Sequence, residues 1–233
     1  MRLNKLLKAD FHIHTTYSMD CDTSLEEIIN RCLETGINCI AIADHGTVEG
    51  ALKIQSLAPF PVIIAEEILT PHGEIIGMFL EESIPSGLSM KQVISRIRLQ
   101  GALVGLPHPF DPLRGFRLDS KSLEELGEQL DIIEVFNARS PFPWPATKAQ
   151  AFAKKYDIPE IAGSDAHTPN EIGSTYIEMP EFNGKDDFLQ ALRKGEIHRH
   201  RSNPLVHFSS NWAKLKSYSK RAWKSGKQEG EAN

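Results

Sequence analysis

Short apolar runs, interrupted by polar or turn-forming positions, recur along almost the whole chain. They predict strands at Lys8–His14, Cys39–His45, Val62–Thr70, Glu74–Leu80, Ala102–His108, Asp131–Asn137 and Glu160–Ser164, with later ones near Thr175–Met179 and Ile197–Arg199. Helical patterns lie between them. Ser24-Leu25-Glu26-Glu27 reads as an N-cap followed by early acids, and Gly36 stands where that helix should stop. Ser89 opens a second helix to about Gln100, ahead of Gly101. Ser122 opens a third to Leu130, Pro145 starts one to Tyr156, and Lys185–Lys194 is closed by Gly195. Strands spaced by such helices predict a parallel sheet with right-handed crossovers. Seven or so βα units suffice to close a small barrel, and an open doubly wound sheet satisfies the same pattern. No linker-like break divides the body, so a single α/β domain is expected over residues 1–205, followed by a basic tail over 206–233.

Placing the histidines and acids on this map gives it chemical content. His12 and His14 end the first strand, with Asp20 just beyond, and Asp44-His45 ends the second. Glu66 and Glu67 lie in the third, followed by His72 in a turn. His108, Asn137, and the pair Asp165 and His167 end or follow later strands. His-x-His and Asp-x-His are weak motifs singly. Their placement is more informative, because the C-terminal ends of parallel strands gather on one face, where active sites sit. Residues at i and i+2 on a strand also share a side, so His12 and His14 can grip one ion. Imidazoles with carboxylates are the ligand set of hydrolytic Zn, Mn or Fe sites, and this set exceeds the needs of one ion. Two or three divalent ions sharing a carboxylate, and in-line displacement at phosphorus, follow as the expected chemistry. Arg114, Arg117 and Arg139 fall in loops on the same face, Arg114 and Arg139 best placed to clamp phosphate oxygens. His72, His198, His200 and His207 lack this context and are expected to be structural.

Charge and cysteines add three points. Residues 201–233 carry seven Lys or Arg against two acids, so a net charge of -5 leaves the first 200 residues at about -10. The overall charge gives no reason to expect nucleic acid or an anionic membrane as partner. The tail's own charge, and its Trp212, Leu215, Ala222 and Trp223 at near-helical spacing, leave weak nucleic-acid contact open beside a docked helix. Three cysteines at no zinc-ribbon spacing, and no run of membrane-spanning length, point to a reducing cytoplasm.

The chain resembles the PHP (polymerase and histidinol phosphatase) superfamily from Ala9 to about Pro204. The resemblance rests on Asp10-Phe-His12-Ile-His14-Thr-x-Tyr-Ser18-x-Asp20, Ile42-Ala-Asp44-His45-Gly-Thr, Glu67, Pro107-His108-Pro109, Glu134-Val-Phe-Asn137 and Gly163-Ser-Asp165-Ala-His167. It implies a distorted (βα)7 TIM-like barrel and phosphate-ester hydrolysis by a metal-bound hydroxide, with a phosphomonoester or nucleotide-type substrate. It implies one ion on His12, His14, Glu67 and Asp165, a second on Asp20, His45 and His167, and a third bridged by Glu67 to His108. Glu67 is selected over its neighbour Glu66. At Asn137 many members carry His or Cys, and an amide oxygen is a weaker ligand. Glu67, Asp165 and His167 would be catalytic, and Asp44 would orient a ligand from behind. An amidohydrolase-like metal hydrolase and a non-catalytic metal-binding scaffold with a nucleic-acid-binding tail are the alternatives.

Overall fold

The structure is a computed structural model that describes residues 6–114 and 118–201. Arg117, His207 and the tail from 206 onward lie outside the described residues. The apolar runs form nine strands: β1 (Leu6–Ile13), β2 (Cys39–His45), β3 (Val62–Thr70), β4 (Gly73–Met78), β5 (Leu103–Leu106), β6 (Ile132–Asn137), β7 (Glu160–Gly163), β8 (Thr175–Pro180) and β9 (Glu196–Arg199). The helices are α1 (Leu25–Thr35), α2 (Glu49–Leu57), α3 (Met90–Leu99), α4 (Ser120–Gly127), α5 (Trp144–Tyr156) and α6 (Lys185–Leu192).

The capping signals explain which helices are legible in the sequence. Ser24 with Glu27, and Ser89 with Gln92, form reciprocal capping boxes, and Gly36 ends α1 with φ 75°. Helix α4 departs from expectation: its N-cap is Asp119, whose side chain accepts from the Ser122 backbone, and it ends at Gly127. Helix α2 has no counterpart among the expected helices, and its N-cap Val48 makes no side-chain cap bond.

All nine strands form one sheet in the order β7-β6-β5-β4-β3-β2-β1-β8-β9. The expected all-parallel sheet is corrected at four pairings, which set β4 and β8 against the other strands. β4 runs antiparallel to both β3 and β5, β8 antiparallel to β1, and β9 antiparallel to β8. Thr70 pairs with Gly73, so only Pro71 and His72 separate β3 from β4. A parallel crossover needs a dozen or more residues, so that connection permits only a hairpin. Because β4 reverses twice, β5, β6 and β7 still run in the sense of β1–β3 and end at the same rim.

The edge of β1 away from β2 is shared between two partners. Its first half, Leu6–Ala9, pairs with β8. Its second half meets the segment after β7, where His14 N donates to Ala166 O at 3.0 Å and Ala166 N to His12 O at 3.3 Å. That contact brings β1–β7 into a nearly closed barrel. Ala9, Phe11, Ala41, Ala43, Ala65, Met78 and Ile132 pack together in one core cluster. Ile40 and Ile42, on the other face of β2, pack with Ile28 and Cys32 of α1 and Ala51 and Ile54 of α2. Burial on both faces explains why β2 reads as a continuous apolar run.

Cys21, Cys32 and Cys39 are all free and buried, and burial pushes each thiol up to about 12. The thiolate is the reactive form, so alkylation near pH 8 is expected to be about a thousandfold slower than for an exposed cysteine. Mass spectrometry after iodoacetamide treatment should find no adduct on the folded protein and three after denaturation. Rapid labelling of any of the three without unfolding would contradict this packing.

Candidate metal centre

A bulge in β1 sets the first two imidazoles. Ala9 pairs with Cys39 and Asp10 with Ile40, but Ile13 pairs with Ile42, so β1 carries one extra residue there. Within the bulge, Phe11 packs into the barrel cluster; after it, Ile13 packs outward with Ile28 and Ile42. The change of register turns both His12 and His14 toward the barrel mouth, an instance of a bulge re-aiming side chains beside a site. His45, His108, Asp165 and His167 reach the same place from the ends of β2, β5 and β7 or the segments just after them, and Glu67 from within β3, where it pairs with His45. His108 (φ 27°) and Asp165 (φ 53°) hold left-handed backbone conformations that cost non-glycine residues energy, as often happens at functional sites.

The side chains meet in four groups, each with its ligand atoms within 4.8 Å of one another: His14, Asp20, His45 and His167; His12, Glu67 and His108; His12, His14 and Asp165; and His45, Glu67 and Glu74. His12, His14, His45 and Glu67 each belong to two groups, so the groups form one continuous cluster. Glu67 is its centre. Its Oε1 lies 2.7 Å from His108 Nε2, and its Oε2 lies 3.3 Å from His12 Nε2, 3.5 Å from His14 Nε2 and 3.6 Å from His45 Nδ1. Asp20 Oδ2 lies 3.2 Å from His167 Nε2 and 3.4 Å from His45 Nε2.

The donor set fits divalent cations. Burial and then the charge of neighbouring His167 push His14 down to about 3, which leaves it neutral with lone pairs available. His14 Nδ1 and Asp165 Oδ1 are buried with no hydrogen-bond partner among the described residues. Burial works against an ionised Glu67, yet His12, His108 and His45 hold its carboxyl well below the usual range. His167 and His45 do the same for Asp20, again against its burial. Buried carboxylates and crowded imidazoles of this kind are stable together when cations sit among them.

A surrounding layer fixes these side chains. Glu134 Oε1 lies 3.1 Å from His12 Nδ1, while Oε2 accepts from His108 N at 2.6 Å and from Asn137 Nδ2 at 3.1 Å. A carboxylate on Nδ1 orients a ligating imidazole and directs its Nε2 at the ion. His167 Nδ1 lies 2.8 Å from the Asp165 carbonyl, and its Nε2 points toward Asp20. Asp10 accepts from Ser164 N, Ser18 Oγ donates to Asp20, and Glu171 accepts from the backbones of His167 and Thr168. Gly163 admits no side chain: a Cβ there would stand 2.3 Å from His12 Cβ. Asp44 accepts from both Thr15 N and Thr15 Oγ1 at 2.6 Å, so it braces the turn after His14.

Other expected residues divide clearly. Glu66 turns away from the cluster and accepts from Ile84 N. Arg114 forms an ion pair with Asp165, and Arg139 lies buried against His167 with its Nε 3.3 Å from Glu171. Asn137 is inside the mouth, but its NH2 group donates to Glu134 and Asp165 while its Oδ1 accepts from Arg139 N. His72 stays in the β3–β4 turn, and His198 stacks on Tyr176 away from the cluster. Cys21 contacts the carbonyls of His14 and His167 as a protonated thiol. Sequence reasoning passes over the roles of Glu134, Asp10, Glu171 and Glu74. For Glu134 a signal exists, since a charge inside Ile132-Ile133-Glu134-Val135-Phe136 must be paired when the strand is buried.

The PHP domain model matches residues 10–67 and the PHP-associated model residues 143–197. An uncharacterised protein of Methanocaldococcus jannaschii, MJ0417, is 35% identical over 226 residues, 95% of this chain and 90% of that protein. Among solved structures, a two-domain protein of Bacteroides vulgatus containing a predicted PHP-like metal-dependent phosphoesterase aligns with TM-score 0.66 at 19% identity. The alignment covers 84% of this chain and 65% of that one. A candidate metal-dependent phosphoesterase of Bifidobacterium adolescentis aligns with TM-score 0.62 at 17% identity, over 81% of this chain and 96% of that one. The fold of these neighbours is the nearly closed barrel described above, and with the matched motifs and the M. jannaschii relative it establishes that this chain belongs to the PHP domain family.

Proposed function

We propose that the chain hydrolyses phosphate esters, of phosphomonoester or nucleotide type, with two or three divalent ions held at the barrel mouth. The observation that carries this reading is the linkage of the ligand groups through shared His12, His14, His45 and Glu67. Shared ligands hold ions as neighbours, the arrangement suited to displacement at phosphorus. His12, His14, Asp20, His45, Glu67, His108, Asp165 and His167 would hold the ions, and Mn, Zn and Fe are those this mix of imidazole and carboxylate suits. Bound ions would supply Lewis acidity toward a water nucleophile and toward the phosphoryl oxygens.

The chain's own groups supply the rest. Arg114 is partly exposed beside Asp165, so its guanidinium can turn to an incoming phosphate. Arg139 is buried, braced by Glu171, and gives a fixed positive charge beside His167. Glu134 keeps the His12 ring aligned through the reaction. The family resemblance and the phosphoesterase descriptions of the structural neighbours support the same reaction class.

The test is phosphate release from a panel of phosphomonoesters and nucleotides. The protein is stripped of metal, reloaded with Mn, Zn or Fe, and run beside Asp165→Ala. Turnover that requires metal and is lost in the variant is the expected result. Stoichiometric metal binding without turnover on any phosphate ester would overturn the assignment, and an amide panel would then test the amidohydrolase alternative.

A further inference from the structure

Resting on the metal-centre reading above, we propose that Glu74, at the start of β4, is a metal ligand, and that with Glu67 and His108 it completes the ion site for which residue 137 supplies no donor.

The orientation of Asn137 is fixed by three contacts. Its amide nitrogen donates to Glu134 Oε2 at 3.1 Å and to Asp165 Oδ2 at 3.3 Å, and its oxygen accepts from Arg139 N at 3.0 Å. Rotating the amide by half a turn would set its oxygen against two carboxylates and its NH2 against a backbone N–H. The group facing the carboxylates is therefore a hydrogen-bond donor, which cannot ligate a cation.

Glu74 faces the imidazoles of His108 and His45. Its Oε2 lies 3.6 Å from His108 Nε2, and its Oε1 lies 4.0 Å from His45 Nδ1. The hairpin register explains how it gets there. Glu67 pairs with Ile76 and Leu69 with Glu74, so Glu67, Leu69 and Glu74 project from the same face of the β3–β4 ribbon. Its ligand atom lies within 4.8 Å of those of both His45 and Glu67. A carboxylate two steps along a hairpin from the central Glu67, aimed at two imidazoles, is placed to share an ion with them. Carboxylate in place of amide also adds a negative charge, which favours a hard divalent cation over a neutral donor's hold.

The experiment is a metal count on the full chain, independent of turnover. Wild type, Glu74→Gln and Asn137→Ala are stripped, titrated with Mn or Zn, and measured by calorimetry and by elemental analysis after desalting. Circular dichroism melts check that each variant folds, and Glu74→His serves as a second variant that restores a donor. Glu74→Gln is expected to lose one ion per chain, or to bind its weakest ion at least tenfold less tightly. Asn137→Ala should keep the wild-type count, and Glu74→His should regain it. An unchanged count and affinity in Glu74→Gln, or loss of an ion in Asn137→Ala alone, would overturn the assignment of Glu74 while leaving the metal centre intact. Absence of ions from wild type itself would sink the metal centre as well.

Discussion

Glu67→Gln is expected to abolish measurable turnover and to weaken ion binding across the whole cluster, not at one position. The variant keeps size and shape but removes the charge toward which His12, His14, His45 and His108 converge. Glu67 is fully buried, so water cannot replace what is lost. Breaking a buried, paired charge costs about 3–5 kcal/mol, which corresponds to about two to four orders of magnitude in affinity or rate. Glu66→Gln, one residue away, is the matched control: Glu66 accepts from Ile84 N and belongs to none of the ligand groups among the described residues. Steady-state kinetics with metal titration on both variants decide the matter. Similar losses in the two would mean that Glu67 matters only as a core residue.

Removing the ions has the second large consequence, on the fold itself. Glu67, Asp165, Asp20 and Glu74 bring four carboxylates into one small volume, and three of these are almost fully buried. Ions that bind the folded chain alone, at a thousand times their dissociation constant, stabilise it by about 4 kcal/mol each. For a chain of this size that is worth about 8–16 °C in melting temperature per ion. Chelator should therefore lower the midpoint by at least ten degrees, and readdition of Mn or Zn should restore it. Calorimetric scans with and without chelator give the result directly. A midpoint indifferent to chelator, in protein shown to carry metal, would mean that the mouth holds its ions without needing them.

Much of this centre is legible in the amino-acid sequence because two patterns reinforce each other. Apolar runs locate the strand ends, and His12, His14, His45, His108, Asp165 and His167 sit at those ends. Glu67 and Glu66 are separable only by family resemblance, since alternation states that one of them faces inward but not which. Three features of the centre escape the sequence for physical reasons. The bulge in β1 is a matter of pairing register, invisible in a single strand's own pattern. Glu74 enters the mouth because Pro71-His72 leaves no room for a crossover; in an all-parallel sheet the beginning of β4 would stand at the far rim. Asn137 carries both an oxygen and an NH2 group, and only its neighbours decide that the nitrogen turns inward. Helix α2 escapes as well, because it lacks the capping side chain that marks α1 and α3.

The shared partnering of β1 also has a consequence for synthesis. His12 and His14 leave the ribosome well ahead of the backbone that holds them in place, Ala166, which follows more than 150 residues later. At about 5–20 residues per second that interval is roughly 8–30 s. During it a nascent chain displays two adjacent imidazoles with neither the register nor the neighbours that give them their final geometry. If the cluster holds ions as proposed, their capture waits until the segment after β7 has been made and paired with β1, and a cell that loads the correct metal would do so after that closure.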